Sequence, residues 1–211
     1  MSESASESVG VVDYGGGNLR NVVNVLKFLG RESVLVSGPA DIEKVDRLVF
    51  PGVGSFGDCV AELDRKGLRV PLREWLAADR PYFGICLGYQ ILFESSEESP
   101  GAEGLGFLRG EVRRFPANAG LKVPHMGWNE VVPTDRGLGI WQGLPDPLYL
   151  YFVHSYFPAP ADQGIVAART VYGVEFAAAV ARGGLFACQC HPERSQDAGL
   201  VLMRNFLGEA G

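Results

Sequence analysis

The sequence predicts an α/β fold: a three-layer, doubly wound, mostly parallel sheet, with an additional short antiparallel β portion in the second half. Three observations predict it. Apolar runs alternate with amphipathic segments up to residue 95, which is the pattern of βα units whose sheet is covered on both faces. Short β-like segments then crowd residues 105 to 191. One amphipathic helix closes the chain.

VGVVDY (9–14) is a buried-strand pattern, followed by GGGN and the helical segment NLRNVVNVLKFLG. Leu19, Val22, Val23, Leu26 and Leu29 fall on one helical stripe, with Gly30 at the C-terminal cap position. SVLVS (33–37) and DRLVFPG (46–52) are further strands, and 55–66 and 70–79 are helices. PYFGI (81–85) is the next strand, and LGYQILFESS the helix after it. The β-like segments of the second half are GFLRGEVRRF, KVPHMGWNEVV, PLYLYFVHSYF, GIVAART, GVEFAAAV and GLFACQCH. ARGG (181–184) reads as a hairpin turn between the last two. The closing helix begins with Ser195 as N-cap. MSESASES lacks a basic n-region and an apolar h-region, so residues 1–8 read as a disordered polar tail ahead of a single domain, 9–211.

Among 211 residues, 46% are apolar and 21% charged, the balance of a water-soluble globular chain. A net charge of -6 argues against nucleic acid as the main ligand. No apolar run is long enough to cross a bilayer. Cys59, Cys86, Cys188 and Cys190 are expected to be free thiols in a reducing cytoplasm.

Gly84-Ile-Cys86-Leu-Gly88 has the form of a nucleophile elbow with cysteine in place of serine. A strand-to-helix turn lifts the thiol above the sheet edge, and glycines flank it because the turn leaves no room for bulk. A helix N-terminus beyond it favours the thiolate. The Leu87 N–H is placed to donate to an oxyanion. A thiol nucleophile needs a base, and His191 in LFACQCHPERS is the candidate. In extended chain Leu185, Ala187, Gln189, His191 and Glu193 share a side. Glu193 then reaches the imidazole, and Pro192 keeps the intervening backbone extended. Cys188 and Cys190, with His191, also spell a zinc fragment, but alternation turns the thiols to the opposite face and no further ligands lie at zinc spacing. They read as core, as does Cys59.

GGGN (15–18) lacks a phosphate-loop signature. PGVGSFGD (51–58) follows a strand, and glycines on both sides of Val53 let its N–H turn toward a ligand, as a second oxyanion donor.

Taken in order, PGVGSF, GICLGYQ, YFVHSYF and HPERS resemble a class I glutamine amidotransferase domain. VVDYGGGNLRNV, VPHMGWN (123–129) and YFVHSYF (151–157) resemble, more narrowly, the glutaminase subunits of imidazole glycerol phosphate synthase, from about residue 9 to the C-terminus. The resemblance implies a Cys86–His191–Glu193 triad and an oxyanion hole from the N–H groups of Val53 and Leu87. It implies that Gly52, Gly54, Gln90, Ser155 and Tyr156 hold L-glutamine, without metal or cofactor. It also implies a heterodimer with a barrel-shaped cyclase subunit that receives the ammonia, with Asn18 and Arg194 near that interface. Glutaminase activity would rise when the partner binds its nucleotide ligand.

Tyr89, Cys190 and Arg194 depart from the family's usual methionine, aromatic and lysine. The guanidinium of Arg194 keeps the charge but bonds differently. His125 and His154 read as non-catalytic. Other readings are the glutaminase of another synthase, a catalytically silent module of the same fold, or a cysteine peptidase.

Overall fold

β1 (Val9–Val12) opens the sheet of this computed structural model, which describes residues 7–16, 19–116 and 121–208. There follow α1 (Leu19–Phe28), β2 (Ser33–Val36), α2 (Pro39–Ile42), β3 (Arg47–Phe50), α3 (Phe56–Arg65), α4 (Arg69–Ala77), β4 (Tyr82–Ile85) and α5 (Leu87–Gln90). The second half carries β5 (Ser95–Ser96), β6 (Gly110–Arg114), β7 (His125–Pro133), α6 (Leu138–Trp141), β8 (Leu148–His154), β9 (Tyr156–Pro160), β10 (Val166–Tyr172), β11 (Val174–Arg182), β12 (Leu185–Cys188) and α7 (Gln196–Phe206).

Among the described residues, nine strands form one sheet in the order β2-β1-β3-β4-β12-β11-β10-β7-β8. The pairings from β2 to β12 are parallel and those from β12 to β8 antiparallel. A separate small sheet has the order β5-β6-β9. The expected fold class holds. Its antiparallel half continues the large sheet edge to edge.

Alternation explains why the central strands are apolar throughout. Val9 and Val11 of β1 and Phe83 and Ile85 of β4 face Val22 and Leu26 of α1 and Leu202, Met203 and Phe206 of α7. Leu48 and Phe50 of β3 and Tyr82 of β4 face Cys59 and Leu63 of α3 and Leu72 and Trp75 of α4. Both faces are thus dry, which suits a parallel sheet.

The expected α1 cap is present. Gly30 has φ +74°, and the Arg31 N–H reaches back to the Leu26 carbonyl. The Gly183-Gly184 hairpin also forms, with the Gly184 N–H on Asp79 Oδ1 at 2.8 Å. Three expectations change. The helix after Cys86 ends at Gln90, because the Ile91, Leu92 and Phe93 carbonyls accept instead from N–H groups of residues 105 to 108. PLYLYFVHSYF divides at Ser155 into β8 of the large sheet and β9 of the small one. Ser195 stands at the start of α7 without capping it. Its hydroxyl donates to the His191 carbonyl at 2.7 Å and accepts from the Tyr151 N–H at 3.0 Å. The predicted tail falls largely on residues 1–6, outside the described residues; Ser8 donates to Asp46 through its N–H and its hydroxyl, each at 2.8 Å.

Candidate active site

The chain leaves β4 through Cys86 at φ 52° and ψ -100°, a strained conformation for a residue with a Cβ. Close packing enforces it. A Cβ on Gly84 would lie 2.5 Å from the Gly88 carbonyl oxygen, and one on Gly88 only 1.9 Å from that of Phe50. The two glycines therefore let β3, β4 and α5 approach one another beneath the sulfur. With only four residues in α5, one turn of N–H groups replaces the full helix dipole expected from the sequence.

His191 follows β12, the strand beside β4. Its N–H is held by the Tyr151 carbonyl at 2.8 Å. Its Nδ1 meets Glu193 Oε1 at 2.8 Å, and both side chains are buried. The route differs from the expected one. Pro192–Arg194 is a turn of 3₁₀ helix, so Pro192 begins a helix and the i, i+2 contact is made around it. Burial disfavours the imidazolium, but the neighbouring Cys86 sulfur and Glu193 outweigh it and raise the His191 pKa well above its ordinary value. His191 Nε2 and Glu193 Oε2 are buried without hydrogen-bond partners among the described residues.

Cys188 and Cys190 pack with Phe186 on the α1–α7 side, as alternation predicted, and Cys86 joins that cluster. Burial pushes the Cys188 and Cys59 thiols up, which suits inert core residues. Among the described residues no group of His, Cys, Asp and Glu could hold a metal ion.

A cavity of about 300 Å³ opens beside the sulfur. Val53, Gly54, Leu87, Gln90, Ser155 and Tyr156, all singled out from the sequence, line it. Gly52 is buried beneath, where a Cβ would meet Leu87 Cβ at 2.6 Å. The two expected oxyanion donors have protein acceptors here. The Val53 N–H donates to the Tyr14 hydroxyl at 3.1 Å, and that hydroxyl donates to the Val53 carbonyl at 2.8 Å. The Leu87 N–H lies 3.5 Å from the Gly52 carbonyl.

Sequence reasoning missed three residues. One is Tyr14. The second is Glu98, which lines the cavity and accepts from the Phe56 N–H at 2.8 Å. The third is Gln189, fully buried with its amide nitrogen 3.4 Å from Cys86 Sγ; its side of the strand was legible from alternation, its contact was not. His154 also lines the cavity, but its Nδ1 is bound to the Tyr156 carbonyl at 2.8 Å and its Nε2 to His125 Nδ1 at 2.9 Å. Burial depresses both rings, to about 3 for His154 and about 4 for His125, so neither offers a free base. Tyr89 is buried, its hydroxyl on the Ala177 carbonyl at 3.3 Å. Arg194 is exposed and lies over the Tyr151 ring at 4.4 Å. Asn18 lies outside the described residues.

A cysteine on a strained elbow, beside a buried histidine–carboxylate pair and above the end of a parallel sheet, defines a thiol-dependent hydrolase of the triad type. Comparison narrows this. Residues 10–210 match the family glutamine amidotransferase class-I. A crystal structure of a glutamine amidotransferase superposes with TM-score 0.75 at 25% identity, covering 96% of this chain and 98% of that one. PurLQS from Thermotoga maritima superposes with TM-score 0.76 at 20% identity, covering 97% and 99%. The imidazole glycerol phosphate synthase subunit HisH of Aromatoleum aromaticum is 47% identical, covering 96% of this chain and 98% of that protein. The HisH subunit of Methylococcus capsulatus is 48% identical, covering 95% of each. The chain belongs to the class-I glutamine amidotransferases and, within them, to the HisH subunits of imidazole glycerol phosphate synthase.

Proposed function

We propose that this chain hydrolyses L-glutamine at Cys86 and passes the ammonia to a separate cyclase subunit. That partner would make imidazole glycerol phosphate and an aminoimidazole carboxamide ribotide, in cytoplasmic histidine biosynthesis. The observation that carries this reading is the buried His191–Glu193 pair beside a strained Cys86 at the wall of the cavity.

Glutamine lies in the cavity with its side-chain amide at the sulfur. Glu98 suits its α-ammonium group, and Gly54, Gln90, Ser155 and Tyr156 bound it. His191 Nε2 takes the thiol proton as the sulfur attacks the amide carbon. Glu193 holds the imidazolium and fixes its tautomer. The tetrahedral oxyanion needs N–H donors, and Val53 and Leu87 are the candidates. Val53 must first leave Tyr14, so its loop is a natural control point. The C–N bond breaks as His191 returns its proton to the departing ammonia. The remaining γ-glutamyl thioester is hydrolysed by water, with His191 as base, and glutamate leaves.

The partner's place is supported by an exposed sheet face. Met126, Trp128 and Tyr149 are 62%, 47% and 47% exposed on β7 and β8. Tyr151 sits among them, cross-strand from Trp128 and beneath Arg194. Isolated exposed apolar side chains are ordinary, whereas a contiguous group marks an interaction surface. Pro124 and Val153, at the end of this face, also line the cavity, which gives ammonia a short way to a docked subunit.

The test is glutamate release by the purified chain, alone and with a cyclase subunit carrying its nucleotide ligand. Release that rises sharply with the loaded partner is the expected result. Strong release indifferent to the partner would move the chain to another synthase, and none at all with the partner bound would make it a silent module.

A further inference from the structure

Gln189 stands outside the triad, yet its amide nitrogen touches the reacting sulfur. Its orientation follows from a chain of hydrogen bonds whose polarity a backbone carbonyl sets. The Tyr156 carbonyl can only accept. It takes the Nδ1–H of His154 at 2.8 Å and the Nε2–H of Gln90 at 3.0 Å. Gln90 is thereby turned with its nitrogen inward, and the same nitrogen donates to Gln189 Oε1 at 3.1 Å. The oxygen of Gln189 is pinned toward Gln90, and its NH₂ toward Cys86. A flipped Gln189 would set two amide nitrogens against each other and a carbonyl oxygen against the sulfur.

The other arm of the chain is fixed in the same sense. With its proton on Nδ1, His154 accepts at Nε2 from His125 Nδ1. His125 Nε2 then accepts from the Asn129 amide at 3.2 Å. Asn129 is itself fixed, donating to the Val171 carbonyl at 2.9 Å and accepting from the Glu130 N–H at 2.9 Å. Every member has one orientation that satisfies all its neighbours. A buried network of that kind rigidifies its end groups.

An N–H donor aimed at sulfur favours the thiolate over the thiol, because the anion is the stronger acceptor. The titratable groups that face the sulfur are His191, with Glu193 behind it, Cys188 and Tyr14, and Glu98 and His154 line the same cavity. Burial keeps Cys188 and Tyr14 protonated, and Gln189, an amide, does not titrate, so its effect does not switch off.

We propose that Gln189 is a further catalytic residue of the glutaminase reaction: its amide N–H donates to the Cys86 sulfur and stabilises the thiolate, both as it attacks glutamine and as it departs from the thioester. No proton is transferred through it; the thiol proton still goes to His191. The assignment rests on the reading of Cys86 as nucleophile.

Gln189→Met keeps the length and removes the donor. Two readouts are needed, on the full chain with its loaded cyclase subunit. The first is the rate at which iodoacetamide alkylates Cys86 at neutral pH, located by peptide mass. The second is kcat and KM for glutamine. Alkylation and kcat should both fall on the order of ten-fold, the weight of one hydrogen bond to a charged group, with KM unchanged. A filler of the core would alter thermal stability but neither rate. Gln189→Glu, of the same size, serves if the methionine variant does not fold, and should slow both rates further by setting an acceptor against the thiolate. Wild-type alkylation and kcat in a folded variant would overturn the proposal. Glutaminase activity surviving in Cys86→Ala would instead sink the underlying site.

Discussion

Cys86→Ala should abolish glutamate release while leaving the fold intact, since alanine fits wherever cysteine does. His191→Ala should cost about 10²- to 10⁴-fold in kcat, the range for a general base. Glu193→Gln should cost less, being one step from the chemistry; steady-state kinetics on the three variants checks the order. The raised pKa of His191 gives a second test. Its folded value lies above the unfolded one, so the stability it contributes is complete below the ordinary histidine range and is lost as pH rises through the folded value. Removing the sulfur or the carboxylate takes away a raising cause, so its imidazole should titrate lower in both Cys86→Ala and Glu193→Gln by NMR. The grouping of Cys86, His191 and Glu193 was legible in the sequence because each sits in a motif whose spacing has a chemical reason. Glu98 and Tyr14 were not, because only the fold brings Glu98 to the cavity and Tyr14 to Val53.

At the scale of elements, the elbow depends on backbone approach. Gly88→Ala would drive a Cβ into the Phe50 carbonyl and should destabilise the protein by about 3 kcal/mol or more, measurable by denaturant unfolding. The loop proposed to supply an oxyanion donor is held by Tyr14. Tyr14→Phe removes both hydrogen bonds to Val53 and should raise partner-independent glutaminase roughly ten-fold; unchanged basal activity would mean that the loop is held by something else. The β7–β8 histidine pair carries an acid liability. Both rings are neutral in the folded state, with values near 4 and 3 against 6.5. The unfolded chain therefore binds more protons between these limits, and stability should fall as pH drops from about 6.5 toward 4. Apolar alternation and glycine punctuation made the parallel βα elements readable. They failed at the α5 terminus and at Pro192. In both places the local pattern is helical or extended, but long-range partners decide, namely the 105–108 N–H groups and the Tyr151 and Ser195 clamp on His191.

For the whole molecule, the exposed face of β7 and β8 is where association should be felt. Trp128→Asp should weaken binding to the cyclase subunit by about 2 kcal/mol or more, seen by sedimentation, and leave the isolated chain's unfolding transition in place. The sequence foretold strands in this region but not their order, since nothing local says that β12 lies between β4 and β11. Nor did it foretell that one apolar segment serves two sheets. That division at Ser155 has a mechanical meaning. Tyr149, Tyr151 and Val153 point outward from β8, and Ser155 and Tyr156 line the cavity beside Cys86. Successive strand residues advance roughly 3.3 Å, so the outer face and the cavity wall are adjoining lengths of the same covalent rod, only a few bonds apart. A subunit docked on one end would press on the other directly, as a short lever does about its pivot, and no signal would have to cross the hydrophobic interior to reach the sulfur.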